Sequence, residues 1–155
     1  NRKMKIMKVA NSVSYTAIVS QESVANNQVS PWQELVSRSD IPYDWTIHAH
    51  HMTLNMGACK DLSLLGNIVT LNVVAIGQDE RVMAVLVDGP VPTKNKHPHI
   101  TIAVAPGQKP FFSNQLKEWI PITPFSLTGE IREVGFQKEI IPLEEPEELQ
   151  DFPIS

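Results

Sequence analysis

Two short segments, His51-Met52-Thr53-Leu54 and His99-Ile100-Thr101-Ile102, constrain this chain more than any other feature. Each lies in an alternating apolar run that ends in glycine, Gly57 in one case and Gly107 in the other. Such alternation marks a half-buried β-strand, on which side chains two positions apart share a face. It assigns Met52, Leu54 and Met56 to a core and His51, Thr53 and Asn55 to the opposite face. In the second run Ile100, Ile102 and Val104 turn inward, and His99, Thr101 and Ala103 outward. A single His-x-Thr is ordinarily a half-buried strand with a hydrogen-bonded histidine, so it is the repetition of the whole pattern that carries information. Side by side, two such strands supply one imidazole to take a proton, another to give one, and two hydroxyls to hold phosphate oxygens. Those are the needs of phosphoester cleavage without a metal.

The surrounding elements read as an α+β order with mainly antiparallel pairing. Residues 14–20 alternate and are β-branched, which predicts a first strand, and residues 21–29 read as a polar loop. Ser30-Pro31-Trp32-Gln33-Glu34 is a helix start with Ser30 as cap, and the helix should run to about Ser39. Asp40 to Asp44 turns the chain into the first motif strand, residues 45–57. After the short segment 60–66, the runs 67–77 and 80–89 form a hairpin around Gly77-Gln78-Asp79-Glu80. Pro90, Pro92 and Pro98 exclude regular structure from most of the link that follows. Ser113 is expected to cap a helix over 114–119, before a final strand or hairpin in 125–136. A basic arm (residues 1–12, with Arg2, Lys3, Lys5 and Lys8) precedes a single domain at 13–139. An acidic tail (140–155, with Glu144, Glu145, Glu147, Glu148 and Asp151) follows it and should pack only locally.

At 155 residues and 42% apolar content the chain can bury one core but not two independent ones. A net charge of −4 lacks the overall basicity usual in nucleic-acid binders. Cys59 is the only cysteine, so no intrachain disulfide forms, and it reads as a small apolar residue. No apolar run is long enough to span a bilayer, and the basic start has no apolar stretch after it as a secretory signal would. Asn rather than Met at position 1 is what a trimmed or excised product would show. Glycine-rich phosphate loops, dinucleotide fingerprints, His-Glu-x-x-His, zinc cysteine arrays and the serine elbow are all missing. His48, His50, His51, His97 and His99 crowd around the motifs. Strand alternation turns His48 and His50 away from His51, and Pro98 breaks the line from His97 to His99, so no metal site is expected.

The HMTL and HITI segments, with HPHITIAVAPG the closest local match, resemble the paired signatures of the two-histidine phosphoesterase superfamily. This superfamily includes LigT-like proteins and the cyclic phosphodiesterase domains of fungal and plant tRNA ligases. The resemblance spans roughly residues 14–136. It implies two similar α/β lobes around a central cleft, a motif on a central strand of each, and metal-independent opening of 2′,3′-cyclic phosphates on nucleotides or RNA ends. Cleavage of cyclic or 2′,5′-linked oligonucleotides, and an RNA-end or nucleotide-binding module with little turnover, are the alternatives. His51 and His99 are the candidate acid and base, and Thr53 and Thr101 the oxyanion donors. His99 is favoured as base because Lys94 and Lys96 precede it and could orient phosphate. Tyr15, Trp45, Phe111 and Phe112 are candidates to stack on a base, and Lys109 is a further candidate cation. No cofactor is expected, and a monomer in the cytoplasm or nucleus is.

Overall fold

The run from Thr46 to Met56 belongs to two neighbours in turn, and this arrangement shapes the molecule. In the computed structural model, which describes residues 12–89, 93 and 96–143, Thr46–Ile47 (β2) pairs with His99–Val104 (β6). His51–Met56 (β3) pairs with Val13–Ser20 (β1). Between them Ala49 adopts a left-handed φ of 52°, which a non-glycine residue rarely does, and the alternation expected across 45–57 is interrupted there. His48 N–H still donates to Ile102 O (2.7 Å) and Ala49 N–H to Thr101 O (2.9 Å) before the chain leaves β6.

The remaining strands are Ile68–Gln78 (β4), Val82–Asp88 (β5) and Ile120–Gly135 (β7). All pairings are antiparallel, in the order β2-β6-β5-β4-β7-β1-β3. Because β2 and β3 are consecutive parts of one run, the two ends of this order are tied together and β3 packs beside β6. The enclosed core draws on nearly every strand: Ile18, Met52, Leu71, Val73, Met83, Val85, Ile100, Ile102, Leu127 and Ile131 form one buried cluster. Smaller clusters lie outside it, one around Val19, Val134 and Ile140, another around Val82, Ala84, Val104 and Leu116. The result is an α+β fold of mostly antiparallel sheet with few short helices.

The β4–β5 hairpin forms as its sequence predicts, whereas other local expectations give way to tertiary contacts. Residues 21–29 are not all loop: Gln21–Asn26 is a helix (α1), because Ser20 Oγ accepts from Ser23 N–H at its start and left-handed Asn27 closes its end. Ser30 caps nothing; its carbonyl accepts from Ser20 Oγ (2.6 Å) and Ser23 Oγ (3.1 Å). The next helix (α2) therefore starts later and is shorter, Gln33–Ser37, after Trp32 is held extended by Ala49 O and Thr128 O. Ser113 heads no helix over 114–119. It sits inside a 3₁₀ segment, Pro110–Gln115, and the chain is irregular until β7 begins. Beyond β7, Ile140 and Ile141 are buried, with Ile141 N–H donating to Glu133 O (2.9 Å). The basic arm up to Asn11, Lys94 and the acidic residues from Glu144 onward lie outside the described residues.

Gly129 lets β1, β7 and Trp32 approach closely: a Cβ there would lie 2.6 Å from Ile18 Cγ2 and 2.8 Å from Val19 O. The second atom is backbone and cannot rotate away. Gly129→Ala is expected to cost about 1–3 kcal/mol, as overpacking of a filled core does. A urea midpoint equal to that of the parent protein would contradict this packing.

Candidate active site

Closure of the sheet brings both motifs to one cleft of about 700 Å³, lined by His51 and Thr53 from β3 and by His99 and Thr101 from β6. Tyr15, His48, Leu54, Asn55, Met56, Thr93, Pro110, Phe111 and Asn114 complete its wall. Both strands are irregular at the same motif position. Against β1, Thr53 pairs with Ala17 and Asn55 with Thr16, so Leu54 is an extra residue. Against β5, Thr101 pairs with Ala84 and Ala103 with Met83, so Ile102 is extra. A bulge shifts the alternation by one residue. The expected alternation therefore fails beyond the fourth motif position, Ile102 itself being buried in the main core as expected. Met56 is 72% exposed and borders the cleft instead of entering the core, and Ala103, expected outside, is buried in the main cluster. Before the bulges the expectation holds, with Met52 and Ile100 inside.

Of the four motif side chains, His51, His99 and Thr101 each have a specific partner. His99 Nδ1 lies 2.9 Å from His97 O. A carbonyl only accepts, so Nδ1 carries the proton and Nε2 is left with a lone pair when the ring is neutral. His51 Nδ1 lies 2.9 Å from His50 Nδ1, and its ring centroid is 4.7 Å from that of Tyr15. Thr101 Oγ1 is 2.7 Å from the hydroxyl of buried Ser113, whereas Thr53 Oγ1 has no bond among the described residues. The Asn55 amide donates to Met56 O, Gly57 O and Ala58 O, bracing the turn at the end of β3.

The histidines do not split into one charged and one neutral ring, because all four near the cleft are lowered. Burial pushes the His51 pKa down to about 3, reinforced by repulsion from His50, His48, His99 and Lys138. His50 is lowered to about 4 by burial, then by His48 and Lys138. His48 and His99 are also lowered, first by burial; for His99 the bond to His97 O opposes the shift. Burial raises the Tyr15 pKa to about 12, so this ring stays a neutral hydrogen-bonding group. The cleft thus holds neutral imidazoles, and no acidic side chain is among the described residues that line it.

Other expected contacts are redistributed. Tyr15 and Phe111 border the cleft, with Phe111 61% exposed. Phe112 turns the other way, packing on the Val82 cluster with the Arg81 guanidinium 4.3 Å from its ring centre. Neighbours on a 3₁₀ turn cannot share a direction. Trp45 packs against the main core instead of the cleft, because its backbone N–H is held in a tight turn by Pro42 O. Lys96 and Lys109 are exposed and do not line the cleft; Lys94 lies outside the described residues. Among the described residues Lys138 is the lysine whose charge lowers His48, His50 and His51, and no local signal marks it. His48, expected to face away from His51, joins it at the cleft because Ala49 breaks the strand; Asn114 also lines the cleft. Cys59 is buried, its thiol pKa raised mainly by burial, and its Sγ donates to Asp61 O (3.3 Å).

The lowered histidines give stability a defined pH dependence. From the ordinary pKa of 6.5 down to about 4 for His50 and about 3 for His51, the unfolded chain binds protons that the folded chain does not. Their contribution is complete above that window and declines as the pH falls through it. The urea midpoint is expected to drop between about pH 7 and pH 5, before most carboxylates titrate. A midpoint constant across this interval would contradict the buried neutral rings.

Among the described residues no helix is long and apolar enough to cross a membrane. Comparison with curated proteins and with solved structures returns no match. The family described as the fungal tRNA ligase phosphodiesterase domain matches residues 14–141, which contain both motifs and every described strand but the first residue of β1. Membership in it carries a hydrolase acting on cyclic phosphates and a context of RNA processing. The chain belongs to the fungal tRNA ligase phosphodiesterase domain family, a two-histidine phosphoesterase-type domain.

Proposed function

We propose that this protein opens 2′,3′-cyclic phosphates of nucleotides or RNA ends, without a metal, with His99 as general base and His51 as general acid. The observation that carries the reading is the meeting of His51, Thr53, His99 and Thr101 in one cleft. His99 suits the base because its Nδ1–H is committed to His97 O, which leaves Nε2 to take a proton from water as the oxygen attacks phosphorus. His51 then gives its Nε2 proton to the departing ribose oxygen. The P–O bond breaks, and water has been added across it to leave a phosphate monoester.

The substrate itself supplies the negative charge that a His51 cation needs. An anionic phosphate beside His51 favours its charged form and opposes the burial and repulsion that keep the ring neutral in the unliganded protein. Thr53 and Thr101 donate to the non-bridging oxygens, where charge concentrates in the transition state. For Thr101 this requires Ser113 to be the donor across their 2.7 Å contact, leaving the Thr101 proton for phosphate. Phe111 offers an aromatic face for a base at the mouth of the cleft.

The test is hydrolysis of 2′,3′-cyclic nucleotides by the purified protein in EDTA, followed by release of the monophosphate. His51→Ala and His99→Ala are each expected to lower kcat by roughly a hundredfold or more, as loss of a proton-transfer group does. Ser113→Ala should cost about 1 kcal/mol of transition-state binding, roughly fivefold in kcat/KM. Tight binding without product would replace the enzyme with an RNA-end or nucleotide-binding module. Activity that vanishes in EDTA and returns with a divalent ion would overturn the metal-free mechanism.

A further inference from the structure

His50 stands behind the cleft, 8% exposed and absent from its lining. Its Nδ1 is 2.9 Å from Nδ1 of His51. The ring planes are only 18° apart and the centroids 5.0 Å apart, as an in-plane N–H···N bond between two side-by-side imidazoles requires. Each ring nitrogen is either a donor or an acceptor, so this contact holds a single proton. If His50 donates, neutral His51 accepts at Nδ1 and carries its single ring proton on Nε2. If His51 donates, neutral His51 has a lone pair at Nε2. A His51 cation, with protons on both nitrogens, keeps the contact only when His50 is the acceptor.

Other groups around the pair cannot take this role. His48 meets His50 edge-on at 5.5 Å between centroids, and Tyr15 meets His51 ring to ring at 4.7 Å. His99 and Lys138 influence His51 only through charge, Lys138 as a cation and His99 when it is protonated. His50 is thus the group described that hydrogen-bonds the His51 ring.

We infer that His50 is a positioning residue for His51: the two rings share one proton across their Nδ1 atoms, and His50 becomes the acceptor that lets His51 carry charge with Nε2 toward the cleft. The inference rests on His51 as the proton donor. When the cleft fills, the shared proton passes to His51 Nδ1 and a proton from solvent settles on His50 Nε2. The pair then holds one more proton than before. After His51 gives up its Nε2 proton to the leaving oxygen, its Nδ1 proton stays bonded to His50.

Two experiments test this. In the unliganded wild-type protein, long-range ¹H–¹⁵N NMR should show a proton shared between the Nδ1 atoms of His50 and His51. Uncoupled rings, each bonded to water, overturn the proposal whatever the variants do. The second is the pH profile of kcat for His50→Phe and His50→Asn, each first checked for folding. Without an acceptor the cation is harder to form, so His50→Phe should move the alkaline limb down by about one to two pH units, the worth of a hydrogen bond to a charged group. It should also lower kcat roughly tenfold to a hundredfold, the usual effect of losing an imidazole's orienting partner, with KM little changed. His50→Asn, whose amide oxygen can accept, should recover most of both. Wild-type profiles in both variants, or equal losses in both, contradict a positioning role. If His51→Ala leaves turnover intact, the assignment of His51 as acid fails instead, while the NMR signal still reports on the pair.

Discussion

Two backbone hydrogen bonds, from His48 and Ala49 to the carbonyls of Ile102 and Thr101, hold the strand of one motif against the strand of the other. Together with the β2–β6 pairing they fasten one end of the order β2-β6-β5-β4-β7-β1-β3 to the run that continues into β3 at its other end; in an open sheet His51 and His99 would lie near opposite margins. With these bonds the margins join, β3 packs beside β6, and one core fills the space enclosed. The left-handed turn at Ala49 belongs to the same arrangement, because it directs the chain from β6 to β1 within a few residues. Backbone strain of this kind persists only where surrounding contacts over-determine it. Here those contacts include Trp32, whose N–H donates to Ala49 O and whose indole donates to Thr128 O across the core.

The two motifs share more than their residue types. In each, the residue after the threonine is extra in its ladder, so the strand bends just beyond the imidazole and hydroxyl. The first three positions stay in register, with the apolar middle residue in the core and its flanking polar residues at the cleft. This is why period-two reading succeeded from His51 to Thr53 and from His99 to Thr101 and failed at Met56 and Ala103. Alternation is visible in a sequence, but a bulge depends on the partner strand. The same holds for Ser30 and Ser113, whose local helix-start chemistry gave way to Ser20, Ser23 and Thr101 as partners. The hairpin 68–88 was legible because its turn and its apolar strands agree. Asn114 reaches the cleft, and Lys138 comes close enough to act on His51 by its charge, only through tertiary folding; His48, near the motif in sequence, turns to the cleft because Ala49 breaks the alternation.

Electrostatically, the site is set against positive charge. His48, His50, His51 and His99 all have lowered pKa values, and burial is the leading cause in each. An anion beside these rings would favour their charged forms, so under the proposed reading phosphate binding and protonation are linked. The asymmetry of partners then separates the two motif histidines, His99 against a carbonyl that can only accept and His51 against a ring that can donate or accept.

The most direct measurement is a crystal structure of the protein with a nucleoside 2′-monophosphate bound. The phosphate should lie in the cleft between the two motif strands, with Nε2 of His51 and of His99 each about 3 Å from a different phosphate oxygen and both threonine hydroxyls on the remaining ones. A phosphate seated elsewhere, or contacted by one imidazole alone while the other points away, would contradict a single centre shared by the two motifs.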